Sequence, residues 1–124
     1  MGRRILCVDD DKDWRFVLEN TLADAGHEVL SVSDATQAWE RAELFEPELV
    51  ILDLDLAGEN GLMLMNFLKE NMPDTRIMLY TGTDQDAEVI MYALQHGAHA
   101  YVRKGAPQDL LREIETIFSE GAST

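Results

Sequence analysis

Five short apolar runs, at residues 5–8, 29–32, 49–52, 77–80 and 100–102, recur along the chain, and each is followed by a stretch patterned for a helix. Runs that are apolar at nearly every position are expected of parallel strands covered on both faces, whereas half-exposed strands alternate. The intervening segments carry apolar stripes at helical spacing. Trp14, Val17, Leu18, Thr21, Leu22 and Ala25 form the first; Ala35, Ala38, Trp39 and Ala42 the second; Leu62, Met65, Leu68 and Met72 the third. Ala87, Ile90, Met91 and Leu94 form the fourth, and Leu110, Leu111, Ile114, Ile117 and Phe118 the fifth. Gly26 and Gly97 sit at expected helix ends, Asp34 and Asp84 at expected caps, and Pro107 near a helix start. Strand–helix alternation repeated five times predicts a doubly wound α/β domain: a five-stranded parallel sheet with five helices on two faces. The last helix is expected to run close to Glu120, and residues 1–124 read as one domain without linker or repeat.

Charge narrows the partners. The chain has 10 Lys and Arg against 24 Asp and Glu, a formal net charge of −14. Affinity for nucleic acid rests largely on cationic side chains that displace condensed counterions, so direct nucleic-acid binding is not expected. A cation or a basic protein surface suits this chain better. Cys7, the only cysteine, lies inside an apolar run, which excludes an intramolecular disulfide or a cysteine metal cluster. No segment has the length or apolarity of a signal-peptide core or a membrane span, so a soluble, cytoplasmic protein is expected.

In open parallel sheets the ligand site lies beyond the carboxyl ends of the strands. Asp9, Asp10 and Asp11 follow the first apolar run, Asp53 and Asp55 the third, Thr81 the fourth and Lys104 the fifth. Each alone is explained as a turn residue, a helix cap or a solvated charge. Four strands delivering an acid pair, an acid, a hydroxyl and an amine to one edge are not explained by turn chemistry. Clustered carboxylates repel, and a hard divalent cation such as Mg²⁺ neutralises them with oxygen ligands alone. A carboxylate beside such an ion can attack phosphorus, with Lys104 and the Thr81 hydroxyl on the phosphoryl oxygens.

With these residues in place the whole chain resembles the receiver domains of two-component response regulators, a chemotaxis-regulator-like fold. Ile5-Leu6-Cys7-Val8-Asp9-Asp10 is similar to the first strand and acidic pair of that family, and Leu49 to Leu56 with Gly61 to its phosphorylation strand and loop. Met78-Leu79-Tyr80-Thr81-Gly82 resembles the strand with the switch hydroxyl, and Gly97 to Lys104 the last strand with its aromatic and lysine. The resemblance implies strand order 2-1-3-4-5 and Asp53 as phosphoacceptor. It implies Mg²⁺ held by Asp10, Asp53 and the Asp55 main-chain carbonyl, with Asp9 orienting a metal-bound water. Thr81 and Lys104 would bind phosphoryl oxygens. Thr81 and Tyr101 would act as the switch that reports to the face of the fourth helix, fifth strand and fifth helix. The implied partners are a histidine kinase or histidine phosphotransfer protein and a downstream protein target, with a homodimer through the same face. Such a domain assists its own phosphotransfer and dephosphorylation without being a turnover enzyme.

Some positions depart from the common pattern. Gly105 and Ala106 follow Lys104 where many members have proline, which puts a cis bond there in doubt. Ala57 stands where proline often occurs, Gly82 is smaller than the usual alanine, and Asp55 adds a carboxylate expected to alter the hydrolysis rate. Asp10 with Asp11 is an alternative acid pair; Asp9 with Asp10 is preferred because the strand ends at Val8. Asp13 reads as a cap or solvated charge, and His27, His96 and His99 as surface or strand-end residues. Trp14 reads as facing the core near the acidic edge, and Met63, Met65, Met72, Met78 and Met91 as core fillers. Two other classes compete: a pseudo-receiver docking module that takes no phosphate, and a haloacid-dehalogenase-like phosphatase suggested by Asp53-Leu54-Asp55. Against the phosphatase stand the late position of the motif, Ala57, and the lack of room for a substrate cap.

Overall fold

The apolar runs pair into a parallel sheet in the computed structural model, which describes residues 2–56, 58–82, 87–105 and 107–122. The order along the chain is β1 (Arg4–Val8), α1 (Lys12–Asp24), β2 (Glu28–Val32), α2 (Ala35–Phe45), β3 (Leu49–Leu52), β4 (Asp55–Leu56) and β5 (Glu59–Asn60). It continues with α3 (Gly61–Asn71), β6 (Arg76–Thr81), α4 (Ala87–His96), β7 (Ala100–Arg103) and α5 (Pro107–Ala122). The main sheet runs β2-β1-β3-β6-β7, every pair parallel. That is the expected 2-1-3-4-5 once the small antiparallel β4–β5 hairpin, which lies in the loop after Asp53 and has no counterpart among the five apolar runs, is set aside. A two-residue strand is too short to carry a periodic signal.

Strand side chains alternate between two cores. Leu6, Val8, Val50, Leu52, Ile77 and Leu79 join Ala38 and Ala42 of α2, Leu64, Met65 and Leu68 of α3, and Ala93 of α4. Ile5, Cys7, Leu49, Ile51, Met78 and Tyr80 join Leu18 and Leu22 of α1 and Leu110, Ile114, Ile117 and Phe118 of α5. Burying both faces explains why the strands read as continuous apolar runs. It also buries the Cys7 thiol, whose pKa is pushed up by desolvation, so it is an inert core group.

The stripes of α1, α2, α3 and α5 face the sheet as expected, although Ala25 is exposed. The α4 stripe is misphased. Ala93 is its buried residue, with Val89 and Ile90 half-buried, whereas Ala87, Met91 and Leu94 are exposed. α4 is apolar on more than one side, so periodicity alone did not select the inward face. Met63 and Met91, expected in the core, are 70% and 58% exposed, while Met65 and Met78 are fully buried.

The punctuation is largely as read. Gly26 and Gly97 have φ of +94° and +151°, the conformation glycine favours at helix ends. The Asp34 carboxylate caps α2 by accepting from the Gln37 amide, and Pro107 is the first residue of α5. α5 continues two residues past Glu120. Asp84 and Ala57 lie outside the described residues. His27 and His99 are strand-end residues whose Nδ1 atoms accept the Arg3 and Ile77 amides, and His96 stacks on Tyr92.

Candidate functional site

Three acids come together where the strand order reverses, at the carboxyl ends of β1 and β3. Each key residue is held by one backbone bond beyond its strand. The Asp9 amide donates to Val32 O at 3.1 Å, the Asp53 amide to Val8 O at 3.0 Å, and the Lys104 amide to Thr81 O at 2.9 Å. The sheet ladder thereby extends rigid backbone into the site.

Asp53 is 4% exposed and accepts on both oxygens. Its Oδ1 accepts from Thr81 Oγ1 at 2.8 Å and from the Asp55 amide at 3.0 Å, and its Oδ2 from Lys104 Nζ at 2.7 Å. Thr81 is the last residue of β6 rather than the first after it, and is buried. Lys104 Nζ also stands 2.7 Å from Asp9 Oδ2, a charge contact rather than an aligned hydrogen bond. Burial lowers the Lys104 pKa, but the carboxylates of Asp53 and Asp9 outweigh it and hold the amine above its ordinary value. For Asp9, burial dominates: its carboxyl is held above the usual range despite the Lys104 ammonium and the Asp11 amide.

Asp9, Asp10 and Asp53 each offer a carboxylate oxygen within 4.8 Å of the others. Hard oxygen donors without histidine or thiolate suit Mg²⁺, so the residues present fit the expected ion. Asp11 does not join them: it caps α1, accepting from the Asp13 amide at 2.8 Å and the Trp14 amide at 3.4 Å. Asp13 is therefore an exposed first-turn charge and not the cap. Asp55 is exposed and reaches Asp53 through its backbone amide. Tyr101 is half-buried against the core shared by α2, α3 and α4, and pairs with Leu79 across the sheet.

Gly61 is a packing requirement. A Cβ there would stand 2.7 Å from Leu54 Cα, 2.9 Å from Leu54 O and 3.0 Å from Asp53 O, all backbone atoms. The start of α3 thus presses against the chain leaving Asp53. At Gly82 a Cβ would meet nothing within 4 Å. The Lys104–Gly105 bond is trans, as are all peptide bonds among the described residues. Gly105 has φ of +125°, which proline, confined near −65°, cannot adopt.

Sequence reasoning missed two features. The Arg15 guanidinium donates to the Asp9 carbonyl at 2.7 Å, steadying the acid pair from the second turn of α1. Trp14 faces Lys104 and Tyr80, a grouping drawn from three elements that no linear spacing reveals.

The strand order, and a site at its point of reversal, define a doubly wound domain of flavodoxin-like topology with an acid pocket. The sequence model of the response regulator receiver domain matches residues 5–115, and the chain belongs to that family. The oxygen regulatory protein NreC of Staphylococcus carnosus is 31% identical over 90 residues, 71% of this chain and 41% of that protein. This chain thus spans about two-fifths of the length of that curated relative. NtrX of Brucella abortus matches with a TM-score of 0.88 at 30% identity, over 99% of this chain and 28% of that one. A CheY-like response regulator receiver domain protein of Methanospirillum hungatei matches with a TM-score of 0.90 at 27% identity, over 99% and 98% of the two chains.

Proposed function

We propose that the chain is a single phosphoacceptor receiver domain in which Asp53 takes a phosphoryl group from a partner phosphohistidine. The observation that carries this is the bracket around Asp53. Oδ1 is held by the Thr81 hydroxyl and the Asp55 amide, and Oδ2 by the Lys104 ammonium. The carboxylate attacks phosphorus as the P–N bond breaks, and the imidazole leaves with the electron pair. Thr81 Oγ1 and Lys104 Nζ then pass from the carboxylate to the phosphoryl oxygens, where charge has accumulated.

Asp10, Asp53 and the Asp55 main-chain carbonyl would hold Mg²⁺, and Asp9 would orient a water bound to it. When bound, the ion neutralises charge on the transferring group. Movement of Thr81 toward the phosphoryl group vacates space that Tyr101 fills, which alters the face formed by α4, β7 and α5. That face meets a downstream protein target or a second copy of the chain. The donor is a histidine kinase or histidine phosphotransfer protein in the cytoplasm. No helix among the described residues is long and apolar enough to cross a membrane, and the net charge of −14 disfavours nucleic acid as this domain's own ligand.

The test is intact mass after incubation with acetyl phosphate, with and without Mg²⁺, for the wild type and Asp53→Asn. One phosphoryl adduct that requires both Mg²⁺ and Asp53 is expected. A folded protein that forms no adduct and binds neither Mg²⁺ nor beryllofluoride would instead be a docking module.

A further inference from the structure

Lys104 is held on more than its two carboxylates. Its Nζ lies over the Trp14 ring, 5.5 Å from the ring centroid. Trp14 in turn meets Tyr80 edge-on, with centroids 5.8 Å apart and planes at 86°. Tyr80 is 1% exposed. Burial raises the phenol pKa, the Gly105 amide and the Lys104 charge opposing it, so Tyr80 stays neutral beneath the β7–α5 loop. The three residues come from α1, β6 and the end of β7, and the aromatic pair is part of, or packs against, the core under α1 and α5.

We propose that Trp14, braced by Tyr80, is a positioning residue for the Lys104 ammonium. This inference rests on the phosphoacceptor reading above. The amine ends four rotatable bonds, and its charged partners are Asp9 and Asp53. Both belong to the three-acid cluster that fits a divalent cation. A cation entering that cluster competes with the ammonium for the same oxygens and repels it. The Trp14 face attracts a cation but cannot bind the metal through oxygen, so it is the side of the amine's seat that metal binding leaves intact. It keeps Nζ over Asp53, where the incoming phosphoryl oxygens arrive. An edge-to-face contact with a fully buried ring restricts the indole, so the seat keeps its shape when Asp9 is drawn away.

The test uses the full chain with lysine labelled at Cε, the Lys104 signal being assigned by its loss in Lys104→Met. With Mg²⁺ alone as probe, the wild-type Lys104 methylene protons are expected upfield of the other lysines because of the indole ring current. Trp14→Met, similarly apolar but without a π face, moves them to the ordinary position, and Trp14→Phe retains most of the shift. The maximal rate of adduct formation from acetyl phosphate falls about tenfold in Trp14→Met. The Mg²⁺ concentration for half-saturation is unchanged, and Trp14→Phe restores the rate. If Trp14→Met does not fold, fluorinated tryptophan in a Trp39→Phe background gives a graded loss of rate at nearly unchanged shape. An unchanged Lys104 signal in Trp14→Met, or an unchanged rate across the fluorinated series, overturns the inference. A wild type that takes no adduct sinks the phosphoacceptor reading, and the Lys104 signal then decides the positioning role by itself.

Discussion

The ammonium of Lys104 bridges Asp9 and Asp53, standing 2.7 Å from Oδ2 of each, so one amine from the end of β7 ties together carboxylates from the ends of β1 and β3. Lys104 is 12% exposed and the two carboxylates less. Removing one member of a buried charge group leaves the others uncompensated. Lys104→Met is therefore expected to destabilise the metal-free protein by about 3 kcal/mol. Adding Asp9→Asn should recover part of that loss, because burial already disfavours the ionised form of Asp9. Urea unfolding of the wild type, the single and the double variant measures both effects.

Two glycines near the site should respond in opposite ways to alanine. Gly61→Ala drives a Cβ into the backbone of Leu54 and Asp53, which cannot yield as a flexible side chain would. A loss of about 1 to 3 kcal/mol and slower adduct formation are expected. Gly82→Ala meets open space; it should keep or raise stability by up to about 1 kcal/mol and slow adduct loss by narrowing access to the phosphoryl group. Equal behaviour of the two variants would contradict this geometry.

Gly105→Pro would restore the residue common in the family, yet it should harm this chain. With φ at +125° the position excludes proline, and the loop would have to rebuild next to Lys104. Stability should fall by more than about 1 kcal/mol, with adduct formation reduced in parallel, as thermal melting and intact mass would report.

Acid should loosen the amino edge of the sheet through its histidines. Burial holds the pKa of His27 and of His99 below the ordinary 6.5, and each Nδ1 accepts a backbone amide, which an imidazolium cannot do. The unfolded chain therefore takes up protons first as pH falls. Stability present above pH 6.5 is lost as pH drops through the lower folded-state values. Melting temperatures of the wild type should fall from about pH 8 to about pH 5.5 more steeply than those of His27→Gln/His99→Gln.

Asp55→Asn should change the rate of adduct loss, because the residue is exposed beside Asp53 while its amide, which the substitution keeps, holds Asp53 Oδ1. Equal dephosphorylation rates for the two proteins would exclude a role for that carboxylate.

Most of the candidate site could be read from the chain because its members directly follow or end apolar runs, and a parallel sheet collects such positions at one edge. Asp9, Asp10, Asp53, Thr81 and Lys104 were all found this way. Sequence reasoning preferred Asp9–Asp10 over Asp10–Asp11 because the first strand ends at Val8; in the structure the carboxylates of Asp9, Asp10 and Asp53 lie together, while that of Asp11 caps α1. The face of α4 was misread because Ala93, the residue it buries, is small, while the larger Met91 and Leu94 stay exposed.

The sequence by itself determined the alternation of strand and helix, the two-sided burial of the sheet and the edge at which the acids gather. These follow from local periodicity and from the identity of the residues that close each run. Tertiary structure alone decided that Lys104 reaches Asp9 as well as Asp53, that Gly61 must lack a side chain, and that Trp14, packed edge-on against Tyr80, lies against the amine. The Lys104 and Trp14 contacts join groups distant in sequence, and the Gly61 contact depends on how α3 settles against the chain leaving Asp53; such distances are set by how the helices pack on the sheet, a property no local pattern of residues carries.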